Sequence, residues 1–320
     1  QQLIIEVRGQ GAQVVVLLSH NGMDIDLKLA SRVSGIDIIL GGHTHDGVPI
    51  PTVVSNPGGK TIVSNAGSHG KFLAVVDLDV KDGRVADYRY RLLPVFPDLL
   101  PADAQVQATI DRARAPYLAQ LQAPLGGAQQ LLYRRGNFNG SWDQLIIDAL
   151  LEVNDAEIAF SPGFRWGTTL LPGQMITRED LMAQTAITYP DTSVVQMTGI
   201  EIKQHLEKLC DKIFNDDPYQ HQGGDMIRTG GLRYACAPGA KLGARISELQ
   251  VRGKALEADK TYKVARWGVD SAQGEGPPAW EVVETYLKSM GKPSTHTPNI
   301  PRLVGVTDNP GLDAATLACP

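Results

Sequence analysis

Apolar positions in the first third of the chain fall into short β-branched runs. Val14 to Leu18 and Ile36 to Leu40, the second interrupted only by Asp37, are too short for helices, and each predicts a buried parallel strand. Polar, glycine-containing segments follow them: Ser19-His20-Asn21-Gly22 after the first, Gly41-Gly42-His43-Thr44-His45-Asp46 after the second. Between them Asp24 and Asp26 stand ahead of Leu27, Leu29 and Ala30, where acidic residues favour the start of a helix. Thr61 to Ser64, Phe72 to Val80 and Tyr88 to Leu93 predict further strands. Beyond Pro94, Pro97 and Pro101 the period changes. Val106, Ile110, Ala113, Tyr117 and Leu121 recur on one helical face, predicting a connecting helix over 102–122 kinked at Pro116.

Pro124-Leu125-Gly126-Gly127 punctuates the chain, and a second domain is expected from residue 128 to 320, after a first over 1–97 and a linker over 98–127. Ser141 with Gln144 reads as a capping box for a helix burying Leu145, Ile146, Ala149, Leu150 and Val153. Thr177 with Asp180, and Thr198 ahead of Ile202, Leu206 and Leu209, mark two more helix starts, and Pro277-Pro278 precede a fourth helix stopped by Gly291. Strand-like runs lie at Glu157 to Phe160, Ser193 to Met197, Ile246 to Val251 and Thr261 to Ala265. The fold class is α/β throughout, with the second domain α+β.

With 320 residues, 42% of them hydrophobic, the chain can bury a substantial core, so disorder is not expected. A net charge of -5 with scattered Lys and Arg gives no field for nucleic acid. No apolar stretch reaches the length of a membrane span, so neither nucleic acid nor membrane is an expected partner. Cys210, Cys236 and Cys319 contain no CxxC and predict neither a thiolate zinc site nor a disulfide framework.

The chemistry concentrates at the strand ends. Ligands of open parallel sheets gather beyond the carboxyl ends of the strands, where His20, His43 and His45 emerge together. Gly41 and Gly42 allow a sharp turn and close approach, and in an extended loop His43 and His45 point to one side, a pattern that suits two adjacent cations. Three imidazoles are a poor set for paired hard ions, so carboxylate donors are expected from polypeptide outside this chain, which reads as starting within a domain. His69 reads as a loop histidine before a strand, with a place beside the cations as the alternative. Two further loops, Ser161 to Gly167 and His221 to Tyr234, combine glycines with Arg165, Arg228 and Arg233. Exposed backbone N–H groups and guanidinium forks suit a tetrahedral oxyanion, and ordinary turns with surface arginines are the alternative.

Ser19-His20-Asn21-Gly22, Ile36 to Asp46 and Ala66-Gly67-Ser68-His69-Gly70-Lys71 together resemble the closing part of the calcineurin-like metallophosphoesterase domain of the 5′-nucleotidase superfamily, and the region after 128 resembles its C-terminal substrate domain. The resemblance implies half of a four-layer α/β/β/α sandwich followed by that domain. His20 and His43 match ligands of one metal and His45 a ligand of the other; the family's metals are manganese or zinc, and its Asp-x-His, Gly-Asp and Gly-Asn-His motifs have no counterpart here. The nucleotidases' aromatic clamp on the base is altered: Gly231 to Ala237 lacks its following aromatic residue, and Arg266 to Pro277 lacks a Gly-Gly-Asp-Gly loop.

The altered loops are similar instead to the SoxB branch, the thiosulfohydrolases of bacterial sulfur oxidation, in His221-Gln222-Gly223-Gly224-Asp225-Met226, Gly136-Asn137-Phe138-Asn139-Gly140 and Arg302-Leu303-Val304-Gly305-Val306. That likeness implies a periplasmic dimanganese hydrolase releasing sulfate from a sulfonate on a cysteine of the SoxYZ carrier protein. Arg165 or Arg228 would then meet the sulfonate, while Asn21, Gly223, Gly224, Asp225 and Arg233 would bind substrate. A 5′-nucleotidase-like phosphatase, or a catalytically silent fragment that only binds a carrier, are the alternatives.

Overall fold

The structure, a computed structural model, describes residues 1–306 apart from 135, 137, 165, 166, 222, 223, 269–273 and 290–294. The chain divides into two compact units, residues 1–109 with 216–223, and 110–215 with the remainder.

The first unit opens with α1 (Gln2–Gly9), β1 (Val16–Leu18), α2 (Met23–Arg32), β2 (Ile38–Gly41), β3 (Thr52–Asn56) and β4 (Gly59–Asn65). The sheet runs β1-β2-β4-β3, with β1, β2 and β4 parallel and β3 antiparallel to β4. Its small core joins Ala30 of α2 to Ile36, Ile39 and Val63. The first apolar run forms a parallel strand, but β1 lies at the sheet edge, and Leu18 is 77% exposed rather than buried. A long hairpin follows, β5 (Phe72–Lys81) with β6 (Arg84–Pro94). The sequence pattern gave no sign of α1, whose apolar residues are not buried, or of β3, which reads as turn because Pro51 and Asn56-Pro57-Gly58-Gly59 frame it.

The connecting helix forms in pieces: α3 (Ala104–Arg114), a 3-10 turn at Ala115–Tyr117 set by Pro116, and α4 (Leu118–Leu121). Its apolar stripe does not become core, with Val106 and Tyr117 each 58% exposed. Arg114 is held instead by a two-pronged ion pair to Glu179, at 2.5 and 2.7 Å.

The second unit continues with β7 (Pro124–Gly127), α5 (Ser141–Val153), β8 (Ile158–Gly163), β9 (Met175–Thr177), α6 (Arg178–Thr185), β10 (Thr192–Thr198), α7 (Gly199–Phe214), β11 (Asp225–Gly230), β12 (Leu232–Cys236), β13 (Ile246–Val251), β14 (Lys254–Ala255), β15 (Thr261–Trp267), α8 (Ala279–Ser289) and β16 (Arg302–Leu303). One mixed sheet runs β10-β15-β8-β11 and another β14-β13-β12-β16. Alternation along β8 and β15 sorts the core: Ala159, Ala265 and Trp267 pack with α5 and α8, while Ile158, Phe160 and Val264 pack with α7, β12 and β13. Thr177 and Thr198 each close a full capping box, with Asp180 and Glu201.

The box at Ser141 does not form. Gly140 is the N-cap of α5, and the Ser141 hydroxyl donates to Leu131 O at 2.5 Å and accepts from Tyr133 N at 3.1 Å. Gln144 turns away to accept from Asn139 Nδ2 at 2.8 Å, a local preference overridden by a buried loop that needed both side chains. Val153 ends the helix exposed. The segment 221–234, expected as a glycine-rich loop, is mostly strand: β11 and β12 meet at Gly231, which has φ +69° and sits where a Cβ would fall 2.0 Å from Glu157 O.

Candidate active site

His20 follows β1 by two residues and His43 follows β2 by two, so the parallel pairing of these strands delivers both rings to one sheet edge. His20 Nε2 and His43 Nδ1 lie 3.3 Å apart, with ring planes at 68°. Two nitrogens each about 2.0–2.1 Å from one zinc ion at the tetrahedral angle lie about 3.3–3.4 Å apart, so the pair fits two ligands of a shared cation. The same spacing suits a single N–H···N hydrogen bond. Among the described residues no group of three or more His, Cys, Asp or Glu is placed to hold an ion.

The loop is not extended as the alternation argument supposed. His43 and His45 both adopt positive φ, +70° and +58°, and His69 does the same at +56°. Left-handed backbone at non-glycine residues is uncommon and concentrates at functional sites. The consequence is a different partner for His45, whose ring meets that of His69 edge-on at 5.8 Å. Thr44 between them caps α2 by accepting from Met23 N at 3.1 Å. Gly41 and Gly42 serve close approach rather than turning. A Cβ on Gly41 would stand 2.9 Å from Asp26 Oδ2, and one on Gly42 3.1 Å from His20 Nδ1.

Beneath the histidines is a buried polar layer, of which the sequence pattern singled out Asp26 alone, as a residue at a helix start. Asp26 is fully buried and accepts from Ser19 Oγ at 2.5 Å, directly before His20, while its Oδ2 has no hydrogen-bond partner among the described residues. Burial pushes its carboxyl above the usual carboxylate range, with the hydrogen bond from Ser19 opposing. Asn65, also buried, donates to Gly42 O at 3.3 Å. Ser19, Asp26 and Asn65 thus tie both histidine loops to α2 and β4. Asn21 is exposed, its side chain turned back to Ser19 Oγ at 3.0 Å.

One functional candidate escaped the sequence reading in its placement. Residues 216–223 pack with the first unit, where Lys28 meets Asp217 at 2.5 Å and sits 4.8 Å from the Tyr219 ring. There His221 Nδ1 pairs with Asp24 Oδ2, an imidazole and carboxylate arrangement that fixes a ring's orientation. Asp24 and His43 both come within 4 Å of the point a Cβ on Gly22 would occupy, so this dyad borders the histidine pair. No local sequence signal links residues so far apart.

In the second unit Arg228 is not available to meet a substrate. It is wholly buried and donates to Asp143 at 3.2 Å, Asp225 at 3.1 Å and the carbonyls of Met226, Arg134 and Gly136. Asp225 is thereby drawn into the same network and away from substrate binding. Arg134 completes the network on the other Asp143 oxygen at 2.8 Å and on Gln184 O and Pro162 O; its burial lowers its pKa. Gly224, at φ +88°, opens β11, and Arg233 is exposed on β12. Arg165 and Gly223 lie outside the described residues. Trp267 is buried with its indole N–H on Ser161 Oγ at 2.8 Å, and Tyr234 is buried too, so neither presents a free ring face.

Residues 128–281 match the 5′-nucleotidase C-terminal domain family. The chain is 39% identical to the sulfate thiohydrolase SoxB of Thermus thermophilus, solved with glycerol, over 96% of this chain and 57% of that one, with a TM-score of 0.89. A 5′-nucleotidase precursor from Thermus thermophilus shares the fold at 23% identity and a TM-score of 0.80, over 96% of this chain and 67% of that one. The trifunctional nucleotide phosphoesterase YfkN of Bacillus subtilis is 27% identical over 82% of this chain, which spans only 18% of that protein. The relatives' names describe hydrolases, and the chain spans less than two thirds of SoxB and of YfkN. No described helix is long and apolar enough to cross a membrane.

Proposed function

The chain is a SoxB-type member of the 5′-nucleotidase superfamily, and from that premise we propose that it supplies part of a dimetal centre hydrolysing a sulfonate carried on a cysteine of the SoxYZ carrier protein, releasing sulfate in the periplasm. The observation that carries this reading is the pairing of His20 Nε2 with His43 Nδ1 at the carboxyl end of two parallel strands. His20 and His43 would hold one cation and His45 the other, with the remaining donors coming from polypeptide outside these 320 residues. Manganese or zinc ions bound there would polarise a tetrahedral sulfur oxyanion and make water a competent nucleophile near neutral pH.

The chain's own residues do the holding. Ser19, Asp26 and Asn65 fix the two loops from below, and the glycines at 41 and 42 let those loops approach the carboxylate and the His20 ring. Arg165 is the remaining arginine proposed to meet the sulfonate, and Asn21, Gly223, Gly224 and Arg233 are the residues proposed to bind substrate. Trp267 and Tyr234 are committed to the core, which favours a substrate without a base to stack. The full-length protein, assayed for sulfate release from an S-sulfonated carrier, is expected to lose at least about a hundredfold in rate on His43→Ala or His20→Ala. Unchanged sulfate release in both variants would reject the site.

A nucleotide phosphatase is the second reading, favoured by the match of residues 128–281 to the nucleotidase family. Phosphate release from AMP by the same preparation separates the two.

A further inference from the structure

Cys210 on α7 and Cys236 at the end of β12 lie with their sulfurs 3.3 Å apart, both free of solvent. Neither takes part in the proposed hydrolysis. They sit in one apolar cluster with Ile202, Leu206, Tyr234 and Ile246, with the Arg245 guanidinium and the Glu207 carboxylate as charged neighbours. We propose that Cys210 and Cys236 are joined as a disulfide in the mature protein, formed by exchange with a protein disulfide oxidant.

Closing the pair to a bond of about 2.05 Å needs a movement of about 1.25 Å, within reach of side-chain rotation. In the exchange, during folding and before the pair is buried, the thiolate of one of the two cysteines attacks a sulfur of the oxidant's disulfide, giving a mixed disulfide and one oxidant thiolate. The thiolate of the other cysteine then attacks the protein sulfur of this mixed disulfide, forming the Cys210–Cys236 bond and releasing the remaining oxidant sulfur as a thiolate. The oxidant leaves as a dithiol carrying the two electrons and the two protons lost by the cysteines. The hydrogen bond from Cys236, and after it the charge of Arg245, hold the Cys210 thiol below its ordinary value, while that same bond and burial push Cys236 up.

The position gives the bond a structural role. The two cysteines bracket residues 216–223, the segment that leaves α7, packs with the first unit and carries His221. Arg245 closes the same base, donating to Phe214 O at 3.0 Å and Pro238 O at 2.6 Å. A crosslink across 26 positions restricts the unfolded chain and holds the two stems of the excursion together.

The test is thiol counting by mass spectrometry on the protein refolded in an oxidising glutathione buffer, denatured and alkylated without reductant. The proposal predicts that the peptides of Cys210 and Cys236 stay unlabelled until reduction while that of Cys319 is labelled, with a tryptic species linking Cys210 to Cys236. Reduction of the folded wild type should lower Tm by roughly 5 to 10 °C, and Cys210→Ala/Cys236→Ala should abolish that sensitivity. Labelling of both Cys210 and Cys236 without reductant, or a linkage of either through Cys319, would overturn it, and this readout needs no variant to fold. It is independent of the hydrolase reading, because thiol counts do not depend on turnover.

Discussion

At the scale of single residues, the histidine loops are organised by what lies under them. Asp26 ionises at a higher pH in the folded protein than in the unfolded chain, because burial penalises its charge. Between the two values the folded state holds the extra proton, so its contribution to stability is present at low pH and is lost as pH rises through the folded value. Asp26→Asn is accordingly expected to match or exceed wild type in Tm at about pH 8, with wild type gaining on the variant as pH falls into the carboxylate range. A difference in Tm that does not change over that range would contradict the assignment. Gly42→Ala acts on the ring itself: its Cβ would press to 3.1 Å from His20 Nδ1, and the His20–His43 spacing must give. In the full-length protein we expect manganese affinity to fall by roughly tenfold while thermal stability stays close to wild type, measured by calorimetric titration and melting of the same samples.

The meeting of His20 with His43 was legible because its signal is local. His20, His43 and their glycines stand out because apolar runs end beside them. The signal failed for backbone conformation, since alternation presumes an extended loop and His43 and His45 take positive φ instead. It failed too for Arg228, because a guanidinium among glycines looks the same in sequence whether it faces an anion or a buried Asp143.

At the scale of elements, most helices and strands followed from periodicity and caps. Thr177 and Thr198 were readable because a capping box is written in four consecutive positions. Thr177→Ala is expected to cost about 1 kcal/mol, seen as a lowered midpoint in denaturant with an unchanged slope. Ser141 carried the same signature and a different outcome, since its hydroxyl was recruited by Leu131 and Tyr133. The Asp143 network is the larger commitment: one carboxylate holds two buried arginines that brace the segments at Pro162 and Gly136. Removing it with Asp143→Ala takes the carboxylate from Arg134 and leaves Arg228 with Asp225, and a loss of about 3 to 5 kcal/mol is expected in equilibrium unfolding. A loss under about 1 kcal/mol would mean the arginines find other partners.

For the whole molecule, the α/β class and the family were within reach of the sequence, while the placement of residues 216–223 was not. Residues 216–223 belong with the first unit although they interrupt the second, an excursion that only long-range contacts such as His221 with Asp24 reveal. The reading of a sulfate-releasing hydrolase rests on the paired imidazoles and on likeness to SoxB over nearly the whole chain. Its most direct test is the ratio of kcat/KM for a cysteine S-sulfonate on the carrier protein to that for AMP, measured on one manganese-loaded preparation of the full-length protein. The ratio is predicted to exceed unity by orders of magnitude, with sulfate as the product. Efficient phosphate release from AMP and no sulfate from the carrier would contradict it.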